Sequence, residues 1–194
     1  MRALMDTNLY RLRAALGESV VTIKDGRVSL DRGQCWVDVW AFEQSVAALD
    51  AALAQPAAPE RVTAAADALL RLYRGPFLGQ EPDAIWAIGP RERLRSKFLR
   101  ALAALAAHYE TTRRYAEAIA CAQRALEADV LAESCYRVLM RCYLARNARA
   151  EALGAYRRCR DVLHAVLGLA PAPETEALRR QAEGAGAQAS VKSS

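Results

Sequence analysis

Apolar positions along this chain recur at helical spacing almost from end to end, and from Phe98 onward they also repeat with a period of 34 residues. Sliding residues 98–126 forward by that period places Leu105 on Leu139, Tyr109 on Tyr143, Ile119 on Leu153, and Ala116-Glu117-Ala118 on Ala150-Glu151-Ala152. A period of this length, with two amphipathic segments in each unit, is the mark of tetratricopeptide-type helical hairpins. Such a unit cannot bury its apolar face alone, so neighbours stack into a superhelix that shares one core and exposes a groove. The pattern predicts four helices here, at about 91–112, 115–127, 132–146 and 148–167. A capping helix is expected from Glu174 to about Glu183, after the breaker run Ala170-Pro171-Ala172-Pro173.

Upstream, Leu4, Met5, Leu9, Leu12 and Leu16 form one helical stripe over residues 2–16, and Gly17 suits the C-terminal cap. Two short β-branched runs follow, Val20–Ile23 and Val28–Leu30, on either side of Asp25-Gly26, the dipeptide that favours a two-residue hairpin turn. A long helix then carries Trp40, Phe42, Val46, Leu49 and Leu53, with Asp38 placed to act as its N-cap. Gln55 to Pro59 is a short linker, and a second helix from Glu60 to Tyr73 offers Val62, Ala66, Leu69, Leu70 and Tyr73 to a core. Arg74 to Asp83 is a breaker-rich loop whose apolar members are expected to pin it to the helices, and Pro90 suits the first position of the next helix. The last residues, 184–194, are small and polar and are expected to be disordered.

Composition narrows the class. The net charge of +5 in 194 residues admits a polyanionic partner without requiring one. Lysine occurs only at Lys24, Lys97 and Lys192, so the basic character is almost wholly arginine, as coding bias in a GC-rich bacterial genome would produce. Five cysteines without any C-x-x-C pair, four of them in apolar helical stretches, fit free thiols in a reducing cytoplasmic compartment. Cys135 and Cys142 share a helix face, which a shared core explains better than a metal. No apolar run reaches the ~20 residues that span a bilayer, so no membrane partner is expected. Phosphate-binding, nucleophile-elbow and zinc-protease motifs are absent from the sequence; no enzyme activity, cofactor or metal is expected.

Helix followed at once by a hairpin is the closing half of a winged helix. The run Arg11-Leu12-Arg13 ending in Leu16-Gly17, with Thr22 to Gly26 in the wing, resembles the C-terminal half of an OmpR-type winged-helix DNA-binding domain. The aromatic usual near the end of that wing is replaced by Arg27 or Val28, and the domain's first strands and helices have no counterpart. The resemblance therefore implies a fragment or a shortened reading frame, with weak DNA binding by this chain alone. Downstream, Val37-Asp38 with Phe42-Glu43, Leu72 to Leu78, Trp86, Arg91, Tyr115 to Ala118, and Leu167-Gly168 with Pro171, Pro173 and Glu174 resemble the bacterial transcriptional activator domain. That module is all-helical and tetratricopeptide-like, and it follows a winged helix in antibiotic-regulatory-protein type activators. The implied organisation is a partial winged helix over 1–33, an activator domain over 34–183 and a tail over 184–194: a mainly α fold with a small N-terminal β-hairpin.

On that reading Arg2, Asn8, Arg11 and Arg13 are the candidates for base and phosphate contacts from the recognition helix, and Lys24 and Arg27 for contacts from the wing tip. For the isolated amphipathic helix, a solvated face explains the same residues. Arg93, Lys97, Arg100, Arg137 and Arg141 are candidate groove cations for an acidic peptide or a phosphate-bearing ligand. Charge complementarity with the upstream acids Asp38, Glu43, Asp50, Glu60 and Asp67 is the simpler explanation. Trp40, Trp86, Tyr109 and Tyr143 read as packing residues, with Trp86 also placed to line a pocket; His108 and His164 read as surface or helix-end residues. The expected function is the regulatory and oligomerisation part of a DNA-binding regulator, with promoter DNA bound through the complete winged helix and a protein partner or a second copy bound by the repeats. A stand-alone protein-interaction adaptor is the alternative.

Overall fold

The computed structural model describes residues 2–55 and 59–184, with side chains from Asp6 onward. Helix α1 (Arg2–Leu16) ends where Gly17 turns left-handed at φ 101° and its N–H donates to the Arg13 carbonyl at 2.8 Å. Strands β1 (Val21–Lys24) and β2 (Arg27–Leu30) pair antiparallel with Lys24 opposite Arg27. Asp25 and Gly26 both have positive φ, 51° and 73°, which is the two-residue turn whose twist matches the strands. Val20 and Val21 are buried, and β1 is the strand that packs against α1.

The rest is helical: α2 (Asp38–Leu53), α3 (Pro59–Leu72), α4 (Ile88–Thr111), α5 (Tyr115–Ala128), α6 (Glu133–Ala145), α7 (Arg149–Leu167) and α8 (Pro173–Gly184). They pack as hairpins, α2 with α3, α4 with α5 and α6 with α7, stacked in order, and α8 covers α6 and α7. The result is the tetratricopeptide-like superhelix expected from the 34-residue period. Two boundaries differ from expectation. Val37, in extended conformation and without a side-chain bond, caps α2; Asp38 lies inside the first turn, where its carboxylate accepts the Val39 N–H at 2.7 Å and still favours the positive helix end. Helix α4 begins at Ile88, continuing a 3-10 turn at Ile85–Ala87, and Pro90 falls in its first turn, where no N–H is needed. The tail expected over 184–194 lies outside the described residues except for Gly184, and residues 56–58 of the linker lie outside them as well.

The repeat is visible in burial as well as in sequence. Leu105 and Leu139, Ala118 and Ala152, Cys121 and Ala155, and Ala125 and Cys159 are all buried at corresponding positions. Small residues dominate the α5 and α7 faces, letting those helices approach their partners closely. An aromatic cluster joins the first two hairpins. The Tyr73 and Phe98 rings stack at 3.9 Å between centroids, Phe42 tilts against Tyr73 at 5.6 Å, and Arg124 lies over the Phe98 ring while donating to the Tyr73 carbonyl at 2.9 Å. Phe98 is fully buried, so this one residue ties α3, α4 and α5 together.

Candidate nucleic-acid interface and partner surface

On α1, Asn8 and Arg11 are exposed. Arg13 instead turns toward the hairpin: a guanidinium N–H donates to the Val21 carbonyl at 3.4 Å, and its Nε is buried without an acceptor among the described residues. Arg13 therefore holds helix to wing in this structure, and the Arg2 side chain lies outside the described residues. Lys24 and Arg27 stand exposed and opposite one another beside the turn, so the hairpin presents two cations at its tip. Cross-strand, Thr22 and Ser29 hydroxyls meet at 2.8 Å. Tyr10, Leu12, Leu16, Ile23 and Val28 are all exposed, so this small helix-and-hairpin unit leaves several large apolar side chains uncovered.

The linker to the repeats is ordered by local bonds. The Asp31 carboxylate accepts the Gly33 N–H at 2.7 Å, and its carbonyl accepts the N–H groups of Gln34 and Cys35 together with the Cys35 thiol. Arg32 then lies over the Trp40 ring at 4.8 Å, joining the end of the wing to α2.

Four of the five predicted groove cations have carboxylate partners. Lys97 on α4 donates to Glu43 on α2 at 2.7 Å, and Arg100 approaches Asp50 at 4.0 Å. Arg141 on α6 grips Glu110 of α4 with two bonds, at 2.6 and 2.8 Å. Arg137 lies 3.7 Å from Glu133, whose carboxylate also accepts the buried Thr175 hydroxyl at 2.6 Å and the Ala172 N–H at 2.7 Å. Arg93 is exposed with no ion pair among the described residues. The Lys97, Arg100 and Arg141 pairs run from α2 to α4 to α6, and the Glu133 hydrogen bonds continue from α6 to the start of α8, so together they staple successive units of the stack. The Lys97 bond is the main reason the Glu43 carboxyl titrates below its usual value.

Arg91 is a residue whose role the sequence did not disclose. From the first turn of α4 it donates to the carbonyls of Phe77 (2.8 Å), Leu78 (2.9 Å), Pro82 (3.2 Å) and Glu81. The loop before α4 is thus held chiefly by one guanidinium; of its apolar members Phe77 packs on the core, while Leu78, Ile85 and Trp86 remain exposed. Its advance signals were its place just after a loop rich in proline and glycine and its part in the resemblance to the activator domain, neither of which names its acceptors. Trp86 stands edge-on to Phe77 and is 68% exposed, whereas Trp36, which the sequence pattern did not single out, lines a cleft of about 710 Å³ beside that loop.

Three of the buried cysteines are held as thiols. Burial pushes the Cys121 and Cys159 thiols up to about 12 and Cys142 to about 11, far from the range of reactive thiolates. Among the described residues there is no group of three or more histidine, cysteine or acidic side chains able to hold a metal, and no helix long and apolar enough to cross a membrane.

Comparison with known proteins accounts for this arrangement. No curated protein matches the chain. The solved structure of Mycobacterium tuberculosis EmbR, in complex with a low-affinity phosphopeptide, is similar at a TM-score of 0.72 and 25% identity, over 93% of this chain and 49% of that one. This chain therefore spans about half the length of EmbR, and a likeness of that coverage reaches beyond the helical stack into the N-terminal helix and hairpin. The model of the bacterial transcriptional activator domain matches residues 37–182, from the cap of α2 to the end of α8. The chain belongs to the bacterial transcriptional activator domain family, whose helical repeats it carries behind an N-terminal helix and β-hairpin.

Proposed function

We propose that this chain is the regulatory and oligomerisation portion of a bacterial DNA-binding transcription regulator, with α1 and the β1–β2 hairpin as its contact to promoter DNA. The observation that carries the reading is the unit ahead of the stack: Asn8 and Arg11 exposed on one helix, Lys24 and Arg27 exposed at the adjoining hairpin tip. Arginine and asparagine suit base edges in the major groove, and cations at a wing tip suit phosphate or a narrow minor groove. The exposed Leu12 and Leu16 on the helix, and the exposed cross-strand pair Ile23 and Val28, are apolar surface of the kind that a winged helix covers with its other helices. On its own this unit lacks that support, so DNA binding by the chain alone is weak. The helical stack supplies contacts to a protein partner or to a second copy. The protein acts in the cytoplasm, and no catalytic step is assigned to it.

Duplex binding by fluorescence anisotropy at low salt tests the proposal, comparing this chain with a version carrying a complete winged helix. At physiological salt the chain alone should bind in the non-specific range, on the order of 10⁻⁴–10⁻⁶ M, tightening as salt is lowered, and the completed protein should select sequence from a randomised duplex pool. A completed protein without sequence preference contradicts the proposal. Light scattering at micromolar concentration tests oligomerisation; a strict monomer removes that role.

A further inference from the structure

The cleft beside the α3–α4 loop is not used by the DNA-binding reading, and its chemistry is specific. Its floor is aromatic, built from Phe42, Tyr73 and Phe77, and Trp36 and Leu78 stand exposed on its flanks. Trp36 is 72% exposed, a large apolar side chain left in water at the junction between wing and stack. Two cations, Arg71 and Arg74, line the same cleft, and neither has a carboxylate in ion-pair range among the described residues. The one acid in the lining, Asp38, already accepts the Val39 N–H at the start of α2. The cleft is also built rather than collapsed, because Arg91 fixes the carbonyls of Phe77 and Leu78 from behind.

We propose that this cleft receives a peptide segment of a partner protein that carries one or two large apolar side chains flanked by carboxylates. The apolar side chains enter against Phe77 and Trp36, and the carboxylates pair with Arg71 and Arg74, where a planar guanidinium donates to both oxygens of a carboxylate at once. A concavity of about 710 Å³ holds one or two side chains of an inserted segment, whereas a two-fold contact between copies centred on the cleft would set the Arg71 and Arg74 cations against their own counterparts. Trp36 follows the Asp31–Cys35 turn directly, so an occupant of the cleft also touches the segment that sets the wing against the stack. Because peptide binding is read without DNA, its failure is separable from failure of the DNA-binding reading.

A fluorescein-labelled peptide alternating aspartate with leucine and phenylalanine is titrated into the whole chain at low salt, beside an analogue with lysine in place of each aspartate. The acidic peptide should bind saturably and change tryptophan fluorescence, and the lysine analogue should bind roughly tenfold or more weakly. The double variant Arg71→Glu with Arg74→Glu, and separately Trp36→Ala, should each weaken the acidic peptide by roughly tenfold, with circular dichroism unchanged. Arg157→Glu, an exposed reversal on α7, should leave binding as it was. No saturable binding, equal binding of both peptides, or equal loss with Arg157→Glu overturns the proposal. So does a result in which the cleft variants alter only self-association by sedimentation, since the occupant would then be a second copy.

Discussion

Arg113 and Asn147 stand 34 residues apart and share one unusual backbone state, φ 60° and 58°. Each ends the first helix of a hairpin, and in each the next residue's N–H returns to a tyrosine carbonyl at 2.8 Å, Arg114 to Tyr109 and Ala148 to Tyr143. The repeat therefore extends to the turn that reverses the chain, a left-handed helix terminus that asparagine tolerates and arginine does not. Arg113→Gly should stabilise the fold by about 0.5–1 kcal/mol, because relief of the strained φ outweighs the freedom glycine adds to the unfolded chain. Asn147→Ala should cost about 1 kcal/mol. Urea denaturation of the two variants checks both signs.

Arg91 should prove more important than its half-buried place at the start of a helix suggests. Arg91→Ala leaves the carbonyls of Phe77, Leu78, Glu81 and Pro82 without their shared donor, and should cost about 2 kcal/mol in urea unfolding. Hydrogen exchange should speed up over residues 77–84 first. Arg91→Lys should recover little, since an ammonium cannot fan out to four acceptors as a guanidinium does.

The Glu43–Lys97 pair makes the stack sensitive to acid. Lys97 holds the Glu43 carboxyl below its ordinary value of 4.5, with Arg93 and Arg32 adding to the effect. Above that value both folded and unfolded chains are ionised there, and the pair contributes in full. As pH falls below it the unfolded chain takes up a proton that the folded chain refuses, and the contribution is lost once pH passes through the folded value. Glu176, hydrogen-bonded by Tyr156 and Arg179, behaves the same way. Stability should fall with pH below about 4.5, and Glu43→Gln should make that decline shallower in a series of urea titrations from pH 3 to 7.

The helical stack was legible because burial obeys a period: Leu105 and Leu139, or Ala118 and Ala152, announce the same pocket in two copies of one unit. The hairpin was legible because Asp25-Gly26 suits the positive φ that the turn requires. What stayed hidden depends on groups with no sequence signal. The Arg91 acceptors are backbone carbonyls, identical in every residue, and the α4 start at Ile88 precedes the proline that seemed to mark it. Lys97 and Glu43 are 54 residues apart, and only the packing of α2 on α4 shows which acid each cation meets. Trp36 was not singled out by the pattern, and its exposure follows from where the linker turns.

The central claim, that the N-terminal helix and wing read DNA for a regulatory helical stack, is tested most directly by the salt dependence of duplex binding. Lys24→Ala with Arg27→Ala, made in the protein with its complete winged helix, removes two cations from the wing tip. The slope of log affinity against log salt should become shallower by about 2, while the preferred sequence is retained. Arg11→Ala should instead relax the preference at one base position. An unchanged slope together with an unchanged preference in both variants would contradict the account.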